Sequence, residues 1–143
     1  MNNKLFVIAG IFILIIAFNM LSFAGQEITA ETSSLTYKDL KAGTGAVAKP
    51  GEIAVIHFIG WLSDNGKKGK EFFNSYDSGK PVAFKLGSKK VLKGWNVGVA
   101  GMKASGKRRL MVPSGLGYGP KGVADLVPPN ADLIFDIELL EVK

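Results

Sequence analysis

The side chains of this sequence that could do acid–base, nucleophilic or metal chemistry are few. There is one histidine, His57, and no cysteine. His57 lies in VIHFIG, among β-branched and aromatic residues, where a lone imidazole is expected to be a hydrogen-bonded structural group. Metal binding needs His, Cys, Asp or Glu clustered at ligand spacing, and no such cluster occurs, so neither a metal nor a cofactor is expected. Nucleophilic catalysis needs a Ser or Cys beside a base and an orienting acid. Ser114-Gly115-Leu116-Gly117 departs from the G-x-S-x-G elbow, and no Walker-type phosphate loop is present. What remains is the chemistry of an apolar surface. Phe58, Phe72, Phe73, Phe84, Trp95, Tyr118 and Phe135 stand beside glycine and proline turns, and each taken singly reads as core.

The elements that must position these rings can be read along the chain. The sequence has 143 residues, 47% of them hydrophobic, with 18 glycines, which fits one domain. Met1 to Lys4 is a short basic start, Leu5 to Phe18 is nearly all apolar, and Ser22-Phe23-Ala24 resembles a small-x-small cleavage site. Residues 1–24 are therefore expected to be a secretory signal peptide. The competing reading is an uncleaved anchor over residues 5–24, since about 20 apolar residues span a bilayer. Residues 25–34 are small and polar and read as a flexible linker, leaving residues 35–143 as the folded domain. Without cysteine, a lipid-modified cysteine anchor and a disulfide framework are both excluded.

GEIAVIHFIGWL is the strongest strand, with β-branched and aromatic residues from Ile53 to Leu62 after the Pro50-Gly51 turn. LTYKDLKAG suggests an edge strand, SDNGKKGK a loop, and EFFNSY, PVAFKL, KRRLMV and ADLIFDIELLEV further strands. In VLKGWNVGVAGM, Val91, Leu92, Trp95 and Val99 recur at helical spacing although the glycines each cost about 1 kcal/mol in a helix. Five to six strands and one short helix without β–α alternation give an α+β class, an antiparallel β-sheet with the helix packed on one face. The net charge of +6 is dispersed in short clusters rather than gathered on one face, so nucleic-acid binding is not expected.

From Tyr37 to Val142 the chain resembles the FKBP-type peptidyl-prolyl cis/trans isomerases. GEIAVIHFIGWL, PVAFKLG, VLKGWNVGVAGMKASGKRRLMVPSGLGYG and VPPNADLIFDIELLEV carry the likeness, four ordered segments at compatible spacing. The resemblance implies an antiparallel sheet wrapped around one short helix, and a proline pocket with Trp95 as its floor. It implies that Phe58, Val91, Leu92, Val127 and Phe135 form walls, and that the Tyr118 hydroxyl and the Leu92 amide bond substrate carbonyls. Val82 stands where the family often has phenylalanine, and Phe58 where many members carry tyrosine. The largest departure is KEFFNSYDSGKP, where the family pattern is phenylalanine, aspartate, serine. A gap-free match puts Phe72 in the pocket and Phe73 on the aspartate. A shift by one puts Phe73 in the pocket and Asn74 on the aspartate. Both lose the carboxylate.

The expected function is isomerisation of X-Pro bonds in exported proteins, in a bacterial periplasm. The expected partners are proline-containing polypeptides and macrolide inhibitors, with no stable membrane contact if the signal is cleaved, and a monomeric state. The alternative is a binding module or chaperone that uses the same pocket without turnover.

Overall fold

In β2 (Ile53–Asp64) the side chains alternate strictly between buried and half-buried from Ile53 to Gly60, so Ala54, Ile56, Phe58 and Gly60 share one face. That alternation is the pleat of a strand with one face on a core. The computed structural model describes residues 34–143; the expected signal segment and the linker up to residue 33 lie outside the described residues. The strands β1 (Thr36–Lys41), β2, β3 (Lys67–Asn74), β4 (Val82–Lys85), β5 (Lys107–Val112) and β6 (Leu133–Val142) form one six-stranded antiparallel sheet. Its order is β1-β5-β6-β2-β3, with β4 also paired to β2. Two short helices complete the fold, α1 (Ser75–Ser78) and α2 (Lys93–Val99), with a 3-10 turn at Ser114–Leu116.

The length of β2 lets β4 and β3 share one of its edges in succession. Ile53 to Ile56 pair with β4 and Ile59 to Asp64 with β3, while β6 occupies the other edge. Between the two short partners the Phe58 N–H would have no ladder acceptor. The Oγ of Ser75, at the start of α1, takes it at 2.8 Å and also meets His57 Nδ1 at 2.8 Å. A buried unpaired N–H costs about 1–3 kcal/mol, which accounts for a serine that is only 1% exposed.

The segment read from sequence as a loop, SDNGKKGK, is a hairpin. Asn65 and Gly66 have φ of 49° and 83° and form a two-residue turn between β2 and β3. Both-positive φ is the geometry whose twist matches a hairpin. The residues around the turn are polar because this end of the hairpin is largely in solvent, so the period-2 apolar signal was missing.

Helix α2 lies on the core face of the sheet, against β5. A Cβ on Gly98 would stand 2.5 Å from Leu110 Cδ1, and one on Gly94 would stand 2.7 Å from Val112 Cγ1. The glycines that make this helix improbable by propensity are therefore what allow it to lie against β5. Trp95 and Val99 are buried within the same core as Ile56, Leu110, Phe135, Ile137 and Leu139. At the far edge, β1 is exposed along its whole length and pairs only with β5. It is fastened by Arg108, which bonds Asp39 at 2.6 Å and the Gly98 carbonyl at 3.0 Å and carries the Tyr37 ring at 4.1 Å.

Candidate functional site

The core face of the sheet ends in a set of aromatic rings gathered from five elements. Trp95, only 7% exposed, meets Phe58 edge-on at 4.6 Å and Phe135 at 5.5 Å, and lies tilted to Phe84 at 5.5 Å. Its Nε1–H has no acceptor among the described residues, so packing alone holds the indole. Phe135, expected as a wall, is fully buried one layer beneath, because β6 runs between β5 and β2 and the rings of Phe58, Phe72 and Trp95 cover it.

Phe72 and Phe73 are adjacent in sequence and should point to opposite faces. A bulge changes this. Gly60 pairs with Phe73 and Trp61 with Glu71, so Phe72 is an extra residue on β3. Such a residue bends its strand and re-aims its side chain. The Phe72 ring packs edge-on against Phe135 at 5.8 Å, in space left by Gly60, where a Cβ would stand 2.6 Å from the ring. Phe73, 45% exposed, stacks on Phe58 at 4.9 Å with the planes 13° apart. The structure thus brings both phenylalanines to the site. On the gap-free match, it also places the two positions where the resemblance expects tyrosine and aspartate in direct contact as a phenylalanine pair.

Two clefts meet at Tyr118. One, of about 170 Å³, is lined by Phe58, Phe72, Phe73, Val123, Leu126 and Val127 with Tyr118. The other, of about 500 Å³, runs past Trp95, Val91 and Leu92 between the segment Lys89–Lys93 and the glycines of Gly115–Gly119. No carboxylate lines either cleft. Tyr118 is half-buried, its hydroxyl pushed up in pKa by burial alone, with no side-chain hydrogen bond to a described residue contributing. It is a neutral donor in the working pH range. The Leu92 N–H precedes the first turn of α2 and likewise donates to no described group.

Two of the expected residues stand apart. Asn74 caps α1, its Oδ1 accepting the Tyr76 N–H at 3.0 Å, and Val82 pairs with Ile56 on β4; neither lines a cleft. Sequence reasoning missed Val123 and Leu126, the latter 51% exposed on the rim. They sit on a loop closed by the Val123 N–H to Val127 carbonyl bond at 2.8 Å, and short loops of this kind carry no periodic signal. It also missed the lysines of the larger cleft.

His57 lies on the opposite face of β2 from Phe58, stacked on Tyr76 at 4.4 Å. The same face carries Asp136, bonded by Arg109 at 2.7 and 2.9 Å and by Lys68 at 2.9 Å, and Lys68 also stands 3.7 Å over Trp61. This polar array braces the outer sheet surface, away from the clefts. Among the described residues no group of three His, Cys, Asp or Glu could hold a metal ion, and no helix is long and apolar enough to cross a membrane.

Residues 45–140 match the family described as FKBP-type peptidyl-prolyl cis-trans isomerase. The chain is 48% identical over 96 residues to the peptidyl-prolyl cis-trans isomerase FPR2 of Saccharomyces cerevisiae, covering 67% of this chain and 69% of that protein. It is 45% identical over 109 residues to an FK506-binding protein of Neisseria meningitidis serogroup A, covering 76% of this chain and 96% of that one. Among solved structures, FkpA from Escherichia coli superposes with a TM-score of 0.67 at 41% identity, over 78% of this chain and 50% of FkpA. Other curated relatives are longer, and the aligned region spans 22–29% of their length.

Proposed function

The chain belongs to the FKBP-type peptidyl-prolyl cis-trans isomerase family, and on that premise we propose that it accelerates rotation about X-Pro bonds of exported polypeptides at the junction of the two clefts. The observation that carries this reading is the meeting of a buried indole, a stacked phenylalanine wall and two unengaged donors at one place. Rotation of an X-Pro bond crosses a barrier of about 18–20 kcal/mol because it breaks amide resonance, and uncatalysed it takes tens to hundreds of seconds. No bond is made or broken, so no nucleophile, acid–base pair or metal is required.

The residues present suit that reaction. An enzyme accelerates rotation by binding the twisted amide better than either planar form. A planar amide is more dipolar than a twisted one. An apolar wall of Phe58, Phe72, Phe73 and Val127 therefore disfavours the planar states relative to water. The proline ring would rest on Trp95 beside Val91 and Leu92, with its flanking carbonyls held by the Tyr118 hydroxyl and the Leu92 N–H. Both donors are fixed before substrate arrives, which lowers the cost of ordering them in the transition state. We further propose that residues 1–24 direct export to a bacterial periplasm, that macrolides of the FK506 type enter the same clefts, and that the domain acts as a monomer.

The test is the cis-to-trans relaxation of a short X-Pro peptide with the purified protein, alongside a Trp95→Ala variant checked for folding by its melting curve. Acceleration lost in the folded variant supports the reading. A folded protein that gives no acceleration overturns it in favour of a binding module, a reading that the lack of any carboxylate in the clefts favours.

A further inference from the structure

We propose that Lys89, Lys90 and Lys93 select polypeptides that carry acidic residues within a few positions of the target proline. The inference rests on the placement of the proline over Trp95 proposed above. A chain lying across Trp95 and Tyr118 has two unlike surroundings. On one side it meets Phe73 and Leu126, and on the other it enters the cleft of about 500 Å³ whose lining includes these three lysines.

The three ammonium groups are available to a ligand. All three lysines are exposed, and every ion pair among the described residues lies elsewhere, at Asp39–Arg108, Asp136 with Lys68 and Arg109, and Glu141–Lys143. The facing wall is Gly115, Gly117 and Gly119, which has no side chain to neutralise them or to hold a peptide away. The lining of this cleft holds no Asp or Glu, and its only other titratable side chain is the neutral Tyr118.

The segment bearing the lysines is also held in place. Asn96 of α2 accepts the Gly87 N–H at 2.7 Å and donates to the Ser88 carbonyl at 2.8 Å, while Ser88 Oγ accepts the Lys90 N–H at 3.1 Å. These bonds brace the loop from Gly87 to Lys90 against the helix that carries Trp95. Three like charges along one wall of a cleft raise the local concentration of an anionic segment, with each exposed pair adding little alone. The effect expected is about three- to tenfold in kcat/KM for a peptide with two glutamates, and it should fade as salt shortens the screening length.

The experiment compares two blocked X-Pro peptides that differ only in Glu against Gln at the position two removed from proline on each side. At low ionic strength the Glu/Gln ratio of kcat/KM should be about three to ten, falling toward one in about 0.5 M salt. In Lys89→Gln/Lys90→Gln/Lys93→Gln the ratio should be near one. In Lys38→Gln/Lys67→Gln/Lys70→Gln, which removes the same charge elsewhere, it should stay as in the parent. A parent ratio near one, a ratio that survives the cleft substitutions, or one lost equally in both variants overturns the proposal. Fluorescence anisotropy of the same labelled peptides makes the comparison without turnover. A charge preference in binding with no acceleration would refute the isomerase reading and leave the lysine assignment standing.

Discussion

Replacing Tyr118 by Phe removes one hydroxyl from the meeting point of the clefts and nothing else. Because burial alone shifts the hydroxyl and no side-chain hydrogen bond to a described residue contributes, the free protein loses no hydrogen bond. Burial already holds the hydroxyl in its neutral form, and the ring still packs against the core cluster. Stability should therefore stay within about 0.5 kcal/mol, a melting shift of no more than about 2–4 °C. In the transition state the substrate carbonyl loses one neutral hydrogen bond, worth about 0.5–1.5 kcal/mol net. Since 1.4 kcal/mol is a factor of ten, kcat/KM should fall about two- to twelvefold. The assay is the relaxation of an X-Pro peptide at substrate levels well below KM, with a melting curve on the same sample. A loss beyond about a hundredfold would exceed any single neutral hydrogen bond and refute the assigned role. A melting drop well beyond about 4 °C would show that the hydroxyl has a structural partner.

Phe73→Asp should destabilise the domain by about 1 kcal/mol, since it removes a stacked pair worth about 0.5–1.5 kcal/mol; adding Phe58→Tyr should recover stability and raise turnover, with a double-mutant cycle showing coupling of about 0.5 kcal/mol or more. Gly98→Ala should cost about 1–3 kcal/mol by denaturant unfolding, because the new methyl would press on Leu110 and lift α2 from β5. Burial alone would raise the Asp136 carboxyl, but hydrogen bonds from Arg109 and Lys68 outweigh it and hold the pKa below the usual value. That contribution is present above the unfolded-state carboxyl pKa, near 4, and is lost as pH falls through the lower folded value. Melting curves from pH 6 to pH 2 should show an acid-side fall that is shallower in Asp136→Asn.

The local devices of the fold were open to reading. The alternation in GEIAVIHFIGWL comes from a pleat that any half-buried strand must obey, and it marks β2 directly. The spacing of Trp95 and Val99 marks the buried side of α2 even against the glycines. The absence of a cysteine, of a second histidine and of a metal cluster limits the chemistry before any coordinates exist. The loss of polar pocket residues at Phe58 and at Phe73 or Asn74 was visible as a departure from the family pattern, but the contact between Phe58 and Phe73 was not.

The sequence by itself determined the strand and helix periodicities, the turn at Pro50-Gly51 and the apolar character of the site. These depend on residues a few positions apart. Only the tertiary structure decided that Phe72 bulges out of register so that Phe72 and Phe73 both reach the cleft, and that Phe135 lies beneath the surface. It alone handed the edge of β2 from β4 to β3 through Ser75, and set Lys89–Lys93 across from Gly115–Gly119. Register, bulges and facing loops are fixed by which distant strands pair, and a one-residue slip in that pairing turns every side chain to the other face.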